Sequence, residues 1–143
     1  MTRPTLDQTY IEIATVMAKR ATCPRRKVGA VIVDGNGYIL STGYNGQPRG
    51  FVHCHEEPCA GADLPSGQGL ELCEALHAEQ NAIARLKEPF SAKTLYCTTA
   101  PCIACTKLAL ATGIETIIFN EDYGTSGRDL WLKAGRTWNQ ING

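Results

Sequence analysis

Val28-Gly29-Ala30-Val31-Ile32-Val33-Asp34-Gly35-Asn36-Gly37-Tyr38 is the stretch on which the reading of the fold turns. Val28 to Val33 is short and apolar throughout, which suits a strand buried on both faces. Asp34-Gly35-Asn36-Gly37 is a tight-turn sequence, and Tyr38 to Thr42 can return as a second strand, so the pair reads as a β-hairpin. Upstream, Thr5-x-x-Gln8 fits a helix capping box. Leu6, Tyr10, Ile13, Ala14 and Met17 then recur at helical spacing and give one apolar face through about Arg20. Downstream, Gly43 to Cys73 has little periodicity and is dominated by Gly, Pro, Cys and His. A stretch of that length without regular structure is usually functional or otherwise tied down. Beyond it the pattern predicts a helix from about Ala75 to Lys87, with Ala82, Ile83 and Leu86 inward. A strand from Thr94 to Thr99 and a helix from Cys102 to Thr112, ended by Gly113, come next. A buried strand from Glu115 to Asn120, a short helix from Arg128 to Ala134 and a last strand from Arg136 to Ile141 complete the chain. The order α-β-β-α-β-α-β-α-β predicts a five-stranded mixed sheet with helices on both faces, a three-layer α/β/α domain.

The 143 residues suit one domain, residues 1–143, with no internal repeat or linker. A hydrophobic fraction of 43% and a charged fraction of 20% are ordinary for a globular protein and exclude disorder as the main state. No apolar run approaches the about 20 residues that span a membrane. Met1 to Arg20 lacks the apolar block of a signal peptide. Fourteen basic residues against fourteen acidic ones argue against a dedicated nucleic-acid binder. With no export signal, the expected compartment is the reducing cytoplasm, where disulfides are rare. Seven cysteines in such a compartment point to metal before disulfides.

The chemistry concentrates in His77-Ala78-Glu79 and Pro101-Cys102-Ile103-Ala104-Cys105. One His and two Cys make a three-ligand zinc set, and three protein ligands with an open fourth position is the catalytic arrangement. Cys102 and Cys105 are three apart at a helix start, so they share a face. Pro101 is tolerated at a helix entrance, and a helix N-terminus favours thiolate over thiol. In mid-helix Glu79 would point away from His77. In a first turn, His77 can reach the metal while Glu79 flanks the reacting water, where a proton shuttle belongs. A lone Cys-x-x-Cys fits a redox pair or half a zinc ribbon equally well; its combination with His-x-Glu is far more specific.

This His-x-Glu…Pro-Cys-x-x-Cys signature is that of the zinc nucleobase deaminases, and the chain resembles the zinc-dependent cytidine/deoxycytidylate deaminase superfamily. Val28-Gly29-Ala30-Val31-Ile32, Gly43-Tyr44-Asn45-Gly46-Gln47-Pro48-Arg49-Gly50 and His77-Ala78-Glu79-Gln80-Asn81-Ala82 look like its deoxycytidylate (dCMP) deaminase branch, from about Leu6 to Gly135. The zinc motif gives only the superfamily; the Gly-Tyr-Asn-Gly-x-Pro-x-Gly block narrows it. The resemblance implies a cytidine deaminase-like fold and hydrolysis of dCMP to dUMP, the precursor for thymidylate synthesis. Glu79 would move protons from water to the ring nitrogen and the departing ammonia. The resemblance also implies that Asn45 holds the sugar or the base, that the Ala100 backbone binds the base edge, and that Tyr123 lies near the nucleotide.

A 5′-phosphate must be met by cations or backbone donors. Lys19, Arg20, Arg25, Arg26 and Lys27 cluster between helix and strand, and Arg26 is the first choice because it just precedes the strand leading to the active-site layer. Any one of these residues alone reads as a solvated surface charge. Cys23, Cys54, Cys59 and Cys73 fall in or beside the aperiodic stretch, and four thiolates suit a closed structural zinc site. Cys23 and Cys54 match ligand positions in members of the branch that carry a second zinc. Cys59 and Cys73 follow from spacing, and His53 and His55 compete with them. Scattered core cysteines are the alternative, and Cys97 reads as a small buried hydrophobe. The branch is commonly a hexamer, activated by dCTP with Mg2+ and inhibited by dTTP, and Tyr44, Gly46, Arg49 and Gly50 lie in the block resembling its effector segment. A plain Gly/Pro turn is the alternative there. The rival functions are a tRNA adenosine deaminase, which should carry more positive surface, and a non-catalytic zinc-stabilised module, which has no need of Glu79. A viral source would place the chain in host cytoplasm.

Overall fold

The computed structural model describes residues 2–22, 26–50, 75–124 and 126–141. Helix α1 (Leu6–Ala18) opens with the capping box: Thr5 Oγ1 accepts the Gln8 N–H at 3.1 Å and Gln8 Oε1 accepts the Thr5 N–H at 2.9 Å. Its buried stripe is Tyr10, Ile11, Ala14 and Ala18, while Leu6 in the first turn stays exposed. The hairpin follows as β1 (Gly29–Asp34) and β2 (Ile39–Tyr44), paired antiparallel. Asp34 Oδ1 accepts the N–H groups of Asn36 at 2.9 Å and Tyr38 at 3.0 Å, and Gly37 takes φ of 85° to close the turn. That left-handed backbone is open to Gly at little steric cost.

The remaining elements are α2 (Ala78–Ala84), a 3-10 turn (Pro89–Ser91), β3 (Ala92–Thr99), α3 (Ile103–Leu110), β4 (Thr116–Glu121), α4 (Arg128–Lys133) and β5 (Thr137–Gln140). The strand order is β2-β1-β3-β4-β5. Strand β1 is antiparallel to β2 and β3, whereas β3, β4 and β5 run parallel. Parallel neighbours need crossover helices, and α3 and α4 supply them.

Side chains alternate across the sheet, as a period of two requires. Ala30 and Ile32 of β1, Leu95 and Cys97 of β3, and Ile117 and Phe119 of β4 face a layer that includes Ala78, Ala82, Ile83, Ala109 and Trp131. Val31 and Val33, Tyr96 and Ile118 face Tyr10, Ile11 and Ala14 of α1. The domain therefore has three layers, with α1 on one face and α2, α3 and α4 on the other. Helix α2 is shorter than its pattern predicts. His77 is its N-cap with extended backbone, and Pro89 disfavours helix at Glu88, which is extended at φ −133°. No helix among the described residues is long and apolar enough to cross a membrane.

Two glycines let helices lie directly on strands. A Cβ on Gly29 would overlap the Ala14 carbonyl of α1, and one on Gly43 would overlap the Ala78 carbonyl of α2. The obstructing atoms are main chain and cannot rotate away. Gly29→Ala and Gly43→Ala should each lower unfolding free energy by about 1–3 kcal/mol, the usual cost of overpacking. Urea unfolding checks this, and an unchanged midpoint would mean that the helices can back away freely.

Candidate active site

Helices α2 and α3 pack against each other on one face of the sheet. His77 is the N-cap of α2, Cys102 is the N-cap of α3, and Cys105 lies in the first turn of α3. Both N-caps have extended backbone, with ψ of 154° at His77 and 173° at Cys102. That geometry frees their side chains from the helical spacing rule. His77 and Glu79 can therefore serve one site although they are two apart.

The imidazole Nδ1 of His77 stands 3.2 Å from Cys105 Sγ and 3.5 Å from Cys102 Sγ. All three donor atoms lie within 4.8 Å of one another. Tetrahedral zinc with about 2.0 Å bonds to N and about 2.3 Å bonds to S keeps its donors about 3.5–3.8 Å apart. The set therefore fits zinc in chemistry and spacing, and it supplies three ligands rather than four.

The charges within the triad are unequal. A hydrogen bond from Cys105, helped by His77, pulls the Cys102 thiol down to about 4. Cys105 is pushed far up, first by sharing that proton with Cys102 and then by burial. His77 is raised, chiefly by its hydrogen bond with Cys102. Glu79 is only 4% exposed, and burial raises its carboxyl above the usual carboxylate range. A carboxyl raised in this way holds a proton more readily than a solvent-exposed one, as suits a group that takes and passes protons.

Several neighbours fix the ligands without having a signal of their own in the ligand motif. Gln80 Oε1 accepts the His77 N–H at 2.8 Å, a capping interaction that the His-x-x-Gln spacing encodes. Thr106 Oγ1 donates to the Cys102 carbonyl at 2.8 Å. The Gly127 N–H donates to the Pro101 carbonyl at 2.9 Å, and Ser126 bridges Cys102. Cys97 is fully buried, and burial, with the Glu79 charge, raises its thiol, as suits a small core residue.

Arg26 and Tyr123 form a rim. The guanidinium of Arg26 stands 3.9 Å from the centroid of the Tyr123 ring, a cation–π contact. The Tyr123 hydroxyl donates to Glu121 Oε2. Ala100 follows β3, and its N–H donates to the Glu121 carbonyl at 2.7 Å. Asn45 is buried, with its side-chain amide bonded to the main chain of Arg26 and Val28. Tyr44 and Gly46 flank it: the Tyr44 carbonyl accepts from Asn81 Nδ2 at 2.9 Å, and Gly46 pairs with Leu76, one residue before His77. Arg49 and Gly50 are exposed. Cys23, Arg25, Cys54, Cys59, Cys73, His53 and His55 lie outside the described residues, so the expected second metal set has no geometry here.

A three-layer α/β/α domain with a His/Cys/Cys centre at two helix N-termini, beside a buried carboxyl, defines a zinc-binding domain of catalytic type. The chain belongs to the family described as the cytidine and deoxycytidylate deaminase zinc-binding region, whose model matches residues 4–121. A deoxycytidylate deaminase of Mycobacterium phage D29 is 38% identical over 128 residues, which cover 85% of this chain and 99% of the phage protein. A deoxycytidylate deaminase of Schizosaccharomyces pombe is 39% identical over 125 residues, 85% of this chain but only 38% of the yeast protein. The chain thus spans less than half the length of that yeast relative. A crystal structure of dCMP deaminase from the cyanophage S-TIM5 in complex with dCMP and dUMP superimposes with a TM-score of 0.78 at 28% identity, covering 99% of this chain and all of that one.

Zinc uptake should release protons, because at neutral pH the raised Cys105 thiol still carries one and the metal takes the thiolate. Affinity should weaken as pH falls, since the raised His77 imidazole must then also be deprotonated. Zinc titration of the metal-free protein in buffers of different ionisation enthalpy measures the released protons. Cys105→Ser should lose zinc from this centre. A pH-independent affinity, or full zinc content in that variant, would assign the metal to other donors.

Proposed function

We propose that the protein hydrolyses dCMP to dUMP and ammonia. The observation that carries this reading is the buried Glu79 carboxyl beside a three-ligand His77/Cys102/Cys105 centre. The cyanophage relative solved with dCMP and dUMP supports the choice of nucleotide. His77, Cys102 and Cys105 would hold the zinc, which would supply the Lewis acidity that makes water a nucleophile near neutral pH. Glu79 takes the proton from the attacking water and delivers it to the ring nitrogen beside the amine-bearing carbon. It then carries a second proton to the departing amine, so water and dCMP become dUMP and ammonia. Burial serves this traffic by raising the proton affinity of Glu79 above that of an exposed carboxylate.

Arg26 meets the 5′-phosphate, and Tyr123, whose ring lies against the guanidinium, borders the nucleotide. Because the Ala100 N–H is occupied by Glu121, the base edge meets the Ala100 carbonyl, an acceptor suited to an exocyclic amine. Cys23, Cys54, Cys59 and Cys73 hold a second, structural zinc, with His53 or His55 as alternates. The enzyme acts in the cytoplasm as a homo-oligomer, with a hexamer as the form the family favours. Regulation by dCTP with Mg2+ and by dTTP runs through Tyr44, Gly46, Arg49 and Gly50. Its support is the pairing of Gly46 with Leu76 next to His77, which gives a ligand on that block a short path to a metal ligand.

Ammonia release from dCMP, CMP, deoxycytidine and dCTP tests the reaction, with dCMP expected to be preferred. Glu79→Gln should keep zinc and fold while turnover falls by about 10²–10⁴-fold or more. Near-normal turnover in a zinc-replete variant would remove Glu79 from the chemistry.

The effector proposal is tested by rates over a range of dCMP with each triphosphate. Coupling energies of about 1–3 kcal/mol predict a fall of about 5–150-fold in half-saturating dCMP with dCTP, and a rise with dTTP. The two triphosphates must favour different states of the loop, since equal affinity for both states shifts nothing. Superimposable curves would reduce the block to a substrate-side turn.

A further inference from the structure

Three side chains form a line along the rim of the site. Tyr123 donates its hydroxyl to Glu121 Oε2, and the Arg26 guanidinium carbon stands 3.9 Å from the centroid of the same ring. The phenol thus has a carboxylate at its tip and a cation over its face. Glu121 is the last residue of β4. It pairs with Thr99 in the sheet, and its carbonyl accepts the Ala100 N–H at 2.7 Å. Its main chain is therefore fixed beside the turn that leads to Cys102, while its side chain is exposed. The bond to Glu121 is also the first cause that raises the Tyr123 hydroxyl, so the phenol stays a donor and tethers the carboxylate.

The charge on Glu121 has no local partner of opposite sign: among the described residues no lysine or arginine forms an ion pair with it. Asp122 adds a second carboxylate to the loop, but that one turns back on its own chain, accepting the Gly124 N–H at 2.8 Å and the Ser126 hydroxyl at 3.3 Å. An amide would hold Tyr123 with the same hydrogen bond, so the tether alone gives no use for a charge. A nucleotide tail gives it one, because each phosphate beyond the first adds negative charge near a tethered carboxylate. We propose that Glu121 is a specificity-determining residue that limits the phosphate tail: its carboxylate, held at the rim by Tyr123, disfavours nucleoside diphosphates and triphosphates against a monophosphate. This rests on the reading of the site as one for a nucleoside monophosphate. Coulomb's law for exposed charges about 7–10 Å apart, in a dielectric approaching that of water, gives about 2–7-fold in affinity for each added negative charge.

Calorimetric binding of dUMP and dUDP to the zinc-loaded protein reads this effect without turnover. Glu121→Gln keeps an acceptor for Tyr123 and removes the charge. It should raise the affinity for dUDP relative to that for dUMP by about 2–7-fold. The change should shrink at about 1 M salt, where the screening length is about 3 Å. Tyr123→Phe releases the carboxylate into water and should move the ratio in the same direction, by less. Zinc content and thermal unfolding establish that each variant is folded and loaded. A ratio unchanged in Glu121→Gln, or a change that survives high salt, would overturn the proposal. A ratio in Tyr123→Phe equal to that of wild type would overturn the tether on which it depends. Ammonia release from dCMP, measured on the same preparations, separates the two readings. Deamination of dCMP with an unmoved ratio keeps the reaction and removes the role of Glu121. A moved ratio in a protein that leaves dCMP intact removes the reaction and keeps the role of Glu121.

Discussion

The contact between Gly43 of β2 and Ala78 of α2 sets where the chemistry can happen. With no side chain at Gly43, the helix main chain lies directly against the strand. Ala78 is the residue between His77 and Glu79, so this contact fixes both a metal ligand and the buried carboxyl. The end of β2 holds the same helix again through Asn81 Nδ2 on the Tyr44 carbonyl, and just beyond it Gly46 pairs with Leu76 in the approach to the helix. An edge strand therefore serves as the seat of the metal-binding helix. The seven residues of α2 would be marginal as a free helix, and its order comes from this seat and from burial of Ala78, Ala82 and Ile83.

The second half of the centre solves the same problem from the parallel side of the sheet. Strand β3 leads through Ala100 and Pro101 into α3, so Cys102 begins that helix where the strand ends. Ligands at an N-cap and in the first turn use the part of a helix whose N–H groups lack intrahelical partners and whose dipole favours negative charge. The lowered Cys102 thiol, at about 4, has local partners as its causes, first Cys105 and then His77. The helix start gives position, and the neighbouring ligand gives ionisation. Thr106 and Gly127 hold the turn from outside; a Cβ on Gly127 would overlap the Thr106 hydroxyl, so this packing also depends on a missing side chain.

What was legible in the sequence follows the range of the interactions. The Thr5/Gln8 capping box, the Asp34–Gly37 turn and the apolar β1 are local, and each stands where its spacing puts it. The alternation of strands and helices gave the sheet class, because parallel strands leave few ways to connect. The His/Cys/Cys donors were legible because ligand chemistry restricts residue type. The limits of α2 were less so, since an N-cap His carries no ordinary capping signal and Pro89 acts on the residue before it. The pairing of Arg26 with Tyr123, and of Asn45 with the Arg26 main chain, joins segments far apart in sequence. Nothing in the local pattern of either partner specifies such a contact.

The rim also bears on which kind of substrate the centre suits. The loop carrying Tyr123 is tied to the metal turn through Gly127 on Pro101 and Ser126 on Cys102. The segment carrying Arg26, just before β1, is tied to the seat of α2 through Asn45. The Arg26–Tyr123 contact therefore joins two parts of the fold that each hold one side of the metal centre. With Arg26 as the proposed phosphate contact, a nucleotide would be placed at a fixed distance from His77, Cys102 and Glu79. That geometry rewards one terminal phosphate at one position. A polynucleotide would draw instead on many phosphate contacts spread over a basic surface, and the balance of fourteen basic and fourteen acidic residues offers no charge excess for one. On that proposed reading, the local placement of charge and the balanced whole would suit a free nucleotide better than a folded RNA, on grounds independent of the zinc motif.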